Sequence, residues 1–346
     1  MQISEPQVED AKAIDISGQQ TSPSPQPQPA QNNEPDKKNA DFRILALVLG
    51  LAVIIALILF AVNSTPAKIS PTLTTALTTI TTSNALSAGP RLGYAYVANF
   101  NSNTISILNV SSKNIVGTIS GFNGPSEVSS SPSGSYLYVV NSGNNTVSVV
   151  NTSREIITGT IKVNSIFGSG DFGIAISPSG KFAYEDSYQN NTINIINTST
   201  GKISGSIPTL YIPTGIAFSP SGQYAYVMEI NETGIINTST NKIVGSISGF
   251  RWAVGIGIAP SGKYAYVANY KNSSISIVNL TQERIVGNIG GFGVGIQGVV
   301  FSPSGDYAYV PNDNTNTLII VNTSTDLIVG RIGGFDGPDG MTFVPG

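Results

Sequence analysis

Few side chains in this sequence could carry out chemistry. The 346 residues include neither histidine nor cysteine. The chain therefore lacks the commonest general base near neutral pH and the commonest transition-metal ligand, and it can form no thiolate or disulfide. Serines recur in Ser-Pro-Ser-Gly segments, but no histidine is present to activate them. We expect no catalytic, cofactor-binding or metal site, and we expect the protein not to be an enzyme.

The carboxylates are the remaining candidates for a site. Glu185 and Asp186 are adjacent acids in a strand-like segment, where they could hold a metal or a ligand. Neighbours in a strand point to opposite faces, so the pair is a poor chelator and a solvated sheet edge is favoured. Asp171, Asp336 and Asp339 lie in segments predicted to be loops that converge on one face. Oxygen ligands suit Ca²⁺, but their spacing matches no dedicated calcium loop.

The charge of the chain excludes one class of partner. Only 11% of residues are charged, and the net charge is −3. A nucleic-acid-binding protein usually presents a basic patch or stripe. We therefore expect no nucleic-acid partner.

The N-terminal region predicts a membrane anchor. Residues 1–43 form a tail rich in Gln, Pro, Ser and Asn, which is typical of a disordered segment, with a polyproline docking peptide as the alternative. Residues 44–62 are an uncharged apolar run, long enough at about 1.5 Å per residue to span a bilayer as one helix. Lysines and an arginine precede the run, which places the tail in the cytoplasm and the rest outside. A cleaved signal peptide or a prepilin-like leader cut near Ala40 fits less well.

A threonine-rich segment at residues 63–92 follows the predicted span. Such composition between a membrane helix and a domain is typical of a stalk, which can carry O-linked glycans. A plain flexible linker is the alternative.

The rest of the chain, residues 93–346, is a repeat. An aromatic pair opens each copy, and consecutive copies start 40 to 46 residues apart. That period is typical of one four-stranded propeller blade, and each copy holds four β-prone runs separated by turn residues. The pairs predict core positions. Their first members are Tyr94, Tyr136, Phe182, Tyr224, Tyr264 and Tyr307.

The two ends of the repeat region predict how the ring closes. The first copy starts at what is the second strand of the others, and residues 340–344 match the missing first strand. We therefore expect a strand at 340–344 to complete the first blade and leave no open sheet edge. The sequence predicts an all-β, six-bladed β-propeller carried by an N-terminal single transmembrane helix.

Four copies carry a shared tetrapeptide: Tyr96-Val-Ala-Asn99, Tyr138-Val-Val-Asn141, Tyr266-Val-Ala-Asn269 and Tyr309-Val-Pro-Asn312. The third and fourth copies depart from it, with Tyr184-Glu-Asp-Ser187 and Tyr226-Val-Met-Glu229. Over residues 93–346 the pattern resembles YVTN-family β-propeller repeats. The resemblance implies an archaeal surface-layer or cell-envelope protein. Members commonly have seven blades, so a seventh supplied by a stalk strand or a partner is the alternative.

Two kinds of surface site are predicted. Sequons for N-glycosylation suit an extracellular chain, although six of them hold one repeat position and are equally explained as Asx-type turns. Arg251 and Trp252, the only tryptophan, lie in an inter-blade loop and could anchor a sugar or protein partner; the favoured interpretation is that Trp252 packs in the same layer as the recurring phenylalanines. The sequons begin at Asn63, Asn109, Asn144, Asn151, Asn190, Asn197, Asn231, Asn237, Asn272, Asn279 and Asn322.

These features together indicate a membrane-anchored, extracellular β-propeller that acts as a cell-surface structural or interaction module. The expected partners are the membrane, cell-envelope proteins and glycans, with no cofactor. The alternatives are a receptor that binds glycans or solutes through its inter-blade loops, and an extracellular propeller hydrolase or lactonase.

Overall fold

The computed structural model describes residues 93–163 and 173–344. Over these ranges the chain forms six antiparallel four-stranded sheets, which confirms the six-bladed propeller. None of the helices among these residues is long and apolar enough to cross a bilayer. The predicted tail, span and stalk at residues 1–92, together with Asn63 and Asp171, lie outside the described residues.

Each blade runs outward from a central channel. From the channel, blade I is β24-β1-β2-β3, and blades II to VI are β4–β7, β8–β11, β12–β15, β16–β19 and β20–β23. A short 3₁₀ turn, Tyr188–Asn190, follows β9. The strands are β1 Tyr94–Asn99, β2 Thr104–Asn109, β3 Asn114–Ser120, β4 Pro125–Ser130, β5 Tyr136–Asn141, β6 Thr146–Asn151, β7 Ile156–Lys162, β8 Ile174–Ile176, β9 Phe182–Ser187, β10 Thr192–Asn197, β11 Lys202–Pro208, β12 Gly215–Phe218, β13 Tyr224–Glu229, β14 Glu232–Asn237, β15 Lys242–Ser248, β16 Ala253–Ile258, β17 Tyr264–Asn269, β18 Ser274–Asn279, β19 Arg284–Ile289, β20 Val300–Phe301, β21 Tyr307–Asn312, β22 Thr317–Asn322, β23 Leu327–Gly333 and β24 Pro338–Phe343.

The second strand of a blade is buried on both faces. In β17, Val267 packs against blade IV, while Tyr266 and Ala268 pack against blade VI. The second aromatic of each pair is buried, as predicted for the core. The first is not: Tyr264 is 43% exposed because it begins the strand beside a turn at the rim.

The outer strands protect the open edge of each sheet. In β3, Gly117 pairs with Ile107 and Ile115 pairs with Leu108, so Val116 is an unpaired bulge residue. The same shift recurs in all six outer strands. Because a bulge interrupts the row of free backbone groups, it disfavours edge-to-edge pairing between molecules.

The C-terminal strand closes the ring. β24 pairs with β1 through Ala95–Phe343 and Val97–Met341, so a closing strand forms as predicted, but it spans Pro338–Phe343 and not residues 340–344. The Ser130 hydroxyl in blade II donates to the carbonyl oxygen of Phe343 over 2.8 Å, so the closing strand is also tied to its neighbour.

Glycines in the inner strands allow the blades to approach closely around the channel. A Cβ atom on Gly255 would lie 2.8 Å from the Cα atom of Gly298, and one on Gly215 would lie 3.1 Å from the Cα atom of Gly255. The first distance is incompatible with a side chain unless a strand moves, and the second requires the neighbouring strand to shift by a few tenths of an ångström. Gly173 and Gly340 hold the same position in blades III and I.

We predict that Gly255→Ala lowers the free energy of unfolding by about 1–3 kcal/mol, the usual cost of forcing an extra methyl group into a packed interior. The matched control is Gly245→Ala in the outer strand β15, where the nearest atom to an added Cβ is Ile235 Cδ1 at 3.6 Å. Urea unfolding followed by circular dichroism measures both. Equal effects of the two substitutions would refute the importance of the inner-strand contact.

Candidate functional site

The two sides of the propeller carry different connections. Ser142 donates its backbone N–H to the carbonyl oxygen of Gly124, so the turn after a second strand lies beside an inter-blade loop. Thr152 donates to the carbonyl oxygen of Ser135, so the turn after a third strand lies beside the turn after an inner strand. We call the first side the loop face and the second side the turn face.

The asparagine that ends the second strand holds the loop that enters its blade. In blade V the buried Asn269 accepts the backbone N–H of Arg251 at its side-chain oxygen over 2.9 Å. Its side-chain nitrogen donates to the Ser276 hydroxyl over 3.0 Å. Asn99 and Asn141 make the same pair of contacts in blades I and II. The repeated asparagine is therefore a structural cap that fixes the loop face.

In blade IV a buried glutamate replaces this asparagine. Glu229 accepts the backbone N–H of Tyr211 at a carboxylate oxygen over 2.8 Å. Glu229 therefore holds the incoming loop by a backbone N–H, as the asparagines do, but the loop of blade IV has a different sequence. Leu210 and Tyr211 in that loop are 74% and 57% exposed.

Trp252 occupies a backbone position that blades I and II fill with glycine. The residue after the capped N–H is Gly124 in blade II, with φ 56°, and Gly337 in blade I, with φ 63°. In blade V it is Trp252, with φ 55°. This left-handed conformation costs an ordinary L-residue roughly 1–2 kcal/mol. In the sequence this departure is visible as a tryptophan at the position where the equivalent residues of blades I and II are glycines.

The Trp252 side chain projects from the loop face. It is 51% exposed and does not belong to the buried cluster that contains Phe250, which corrects the favoured interpretation that it packs in the layer of recurring phenylalanines. Tyr270 donates its backbone N–H to the Trp252 carbonyl oxygen over 2.9 Å and is itself exposed. The predicted partner-binding residues, Arg251 and Trp252, thus stand on a loop that hydrogen bonds hold in place.

Glu185 and Asp186 lie in the core, which corrects the prediction of a solvated edge. Both side chains are fully buried, because β9 is a second strand and is covered on both faces. Asn194 donates to one Glu185 carboxylate oxygen over 2.7 Å, and Gly173 donates its backbone N–H to one Asp186 carboxylate oxygen over 3.0 Å. Among the described residues, the other oxygen of each carboxylate has no hydrogen-bond partner.

Burial keeps these two acids protonated over an unusual range of pH. It raises the pKa of Glu185 from 4.5 to about 8, against the opposing effect of the Asn194 hydrogen bond. Burial, and then the neighbouring Glu185 carboxylate, hold the pKa of Asp186 well above its ordinary value. A neutral carboxylic acid is the form that an apolar blade interface accepts.

The channel is lined mainly by glycines and by apolar residues of the inner strands. Two carboxylates also line it, those of Glu127 and Asp339. Glu127 stands in blade II at the position of the inner-strand glycines, and a Cβ atom on Gly340 would lie 2.6 Å from its Cα atom. Asp336 is an exposed loop residue whose backbone N–H is held by Asn99. No group of three potential metal-ligating acids occurs within residues 93–163 and 173–344.

The sequons divide between the two faces. Those at the repeated position after the third strand form Asx turns on the turn face; for example, Asn237 accepts the backbone N–H of Ser239 over 3.0 Å. Glycosylation stays a prediction for both groups. The half-buried Asx-turn residues are Asn109, Asn151, Asn197, Asn237, Asn279 and Asn322, and the exposed loop-face residues are Asn144, Asn190, Asn231 and Asn272.

Comparison with known proteins supports the fold. A model of the LVIVD repeat matches residues 256–278 and 301–325, which lie at equivalent positions in blades V and VI. No curated protein matches the chain. The resemblance to YVTN-family repeats therefore stays a prediction.

Solved structures that are similar to this chain include an enzyme and a protein of unknown function. The hydrazine synthase of Kuenenia stuttgartiensis is 23% identical with a TM-score of 0.53, over 65% of this chain and 72% of that one. A functionally unknown protein from Desulfotomaculum acetoxidans DSM 771 is 15% identical with a TM-score of 0.57, over 73% of this chain and 99% of that one. At such identities the likeness concerns the fold alone. Together with the match to the repeat model, it supports a repeat β-propeller protein.

We predict that the stability of the propeller falls as the pH rises. Because the pKa of Glu185 is raised from 4.5 to about 8, folding takes up a proton between these values. Its stabilising contribution is complete below pH 4.5 and is lost as the pH rises to about 8. One pKa unit corresponds to about 1.4 kcal/mol, so the loss amounts to a few kcal/mol.

The measurement is the urea midpoint at pH 4, 6 and 8 for the parent chain and for Glu185→Gln, which stays neutral and can still accept from Asn194. We expect the variant to have the flatter profile. The control is Glu283→Gln, which changes an exposed glutamate. A parent profile that rises over this range, or equal slopes in all three chains, would show that Glu185 is ionised in the folded state.

Proposed function

We propose that this chain is a membrane-anchored, extracellular β-propeller that binds partners of the cell envelope through its loop face and catalyses no reaction. The N-terminal span predicted at residues 44–62 would hold it at the cell surface with the tail in the cytoplasm. The resemblance to YVTN-family repeats favours a surface-layer or adhesion role.

One observation carries the binding part of this proposal. Trp252 breaks the repeat at a position where Gly124 and Gly337 adopt the same positive φ. A large aromatic residue in that conformation is strained, and the strain does not place the side chain in the core, because it is 51% exposed. Tryptophan and arginine are the residues that most often dominate binding energy at interfaces.

The absence of catalysis is supported by the distribution of the ionisable groups. The sequence has no histidine or cysteine to act as base or nucleophile. Glu185 and Asp186, whose pKa values are raised, lie at blade interfaces. General acid–base catalysis requires such a group to reach a bound substrate.

We predict that Trp252→Gly weakens binding by at least about tenfold, as expected for an interface residue worth more than 1.4 kcal/mol. The free energy of unfolding should stay within about 1 kcal/mol of the parent or rise, because glycine accepts this φ without strain. Binding is measured by surface plasmon resonance with the full chain in liposomes and a cell-envelope extract of the source organism as the analyte.

The control is Tyr264→Ala, which removes a similarly exposed aromatic ring from the turn face. We expect it to bind as the parent chain does. Loss of binding in Tyr264→Ala with full binding in Trp252→Gly would assign the partner to the other face. Labelling of the propeller lysines by a membrane-impermeant reagent on intact cells tests the topology, and labelling only after lysis would contradict it.

A further inference from the structure

A second feature of the loop face lies away from Trp252. A cavity of about 310 Å³ opens between blades VI and I, next to the end of the channel. One aromatic ring, three amide side chains and two carboxylates line it. They belong to Phe100, to Asn101, Gln297 and Asn314, and to Asp313 and Asp339.

Two glycines make room for this lining. A Cβ atom on Gly337 would lie 2.6 Å from the side-chain nitrogen of Asn101, and one on Gly295 would clash with a carboxylate oxygen of Asp313. Both glycines have positive φ, 63° and 91°. Any other residue at either position would displace a polar side chain that lines the cavity.

The polar groups at the base of the cavity are held in a defined orientation. Gln297 donates its side-chain nitrogen to an Asp313 carboxylate oxygen over 2.7 Å, and Asp313 donates its backbone N–H to the Gly295 carbonyl oxygen over 2.9 Å. The side-chain oxygen of Gln297 is buried without a hydrogen-bond partner among the described residues.

We propose that this cavity binds a neutral saccharide. Sugar hydroxyls both donate and accept, so they match a set of carboxylates and amides in close proximity. Phe100 is 45% exposed and offers a flat apolar surface for the C–H face of a sugar ring. An anionic ligand would be repelled by Asp313 and Asp339. A bare cation would make no use of the phenyl ring or the amide nitrogens.

The saccharide site is independent of the partner site proposed above. It lies on blades VI and I, whereas Trp252 enters blade V, and neither its lining nor its hydrogen bonds include Trp252. Unchanged partner binding in Trp252→Gly together with intact saccharide binding would therefore contradict the proposed function alone.

The test is saturation-transfer difference NMR on the full chain in a sugar-free zwitterionic detergent. The probes are the methyl glycosides of glucose, galactose, mannose and N-acetylglucosamine. We expect signal transfer to at least one of them and an affinity about tenfold weaker in Phe100→Ala. Tyr270→Ala is the matched control, since Tyr270 follows Asn269 in blade V as Phe100 follows Asn99 in blade I, and it should bind as the parent does.

Asn314→Ala, which changes an exposed side chain, serves as a second variant if Phe100→Ala does not fold. Three outcomes would overturn the proposal: no transfer to any of the four glycosides, equal binding in the parent and the lining variants, or loss of binding in Tyr270→Ala alone. A rise in the melting temperature with Ca²⁺ that Asp313→Asn abolishes, in a chain that binds no glycoside, would identify a cation site instead.

Discussion

Backbone-to-backbone contact between the inner strands is the constraint on which the ring depends. Six blades around a narrow channel bring neighbouring inner strands so close that Gly215, Gly255 and Gly298 leave no space for a methyl group between them. The buried second strands can then pack against both neighbours. Blade II is the exception, because Glu127 stands in the ring of glycines and directs a carboxylate to the channel. Its backbone still meets Gly340, so the closing glycine accommodates the exception.

The buried asparagines separate the scaffold from its loops. In blades I, II and V the cap bonds to the third strand on one side and to the backbone of the incoming loop on the other, as Asn269 does with Ser276 and Arg251. In blade VI the side-chain nitrogen of Asn312 instead donates to the loop carbonyl oxygens of Phe292 and Val294. The cap contacts a backbone N–H, so it places no demand on the side chain of the loop residue. Loop residues can therefore vary while the loop backbone stays fixed. Arg251 and Asp336 are held in this way in blades V and I.

The periodicity of the sequence was sufficient to predict the six blades and the closing strand, because every blade repeats the same turn and aromatic positions. It was insufficient for residues that break the repeat. Glu185 and Asp186 were predicted to be solvated because acids in strands usually are, but a second strand has no solvent face. The cavity that Phe100 and Gln297 help to line joins segments nearly 200 residues apart, and no local pattern indicates that they meet.

Departures from the repeat mark where this propeller differs from a purely structural ring. The residues that the fold needs recur in every blade. A residue that replaces the recurring one and lowers the stability of the fold therefore requires its own explanation. Trp252 has an energetic cost in backbone conformation, and Glu185 and Asp186 have one in desolvation. The first is 51% exposed and lies outside the core, which supports the proposed binding role. The acids are buried and neutral, so they restrict the pH range in which blade III is stable.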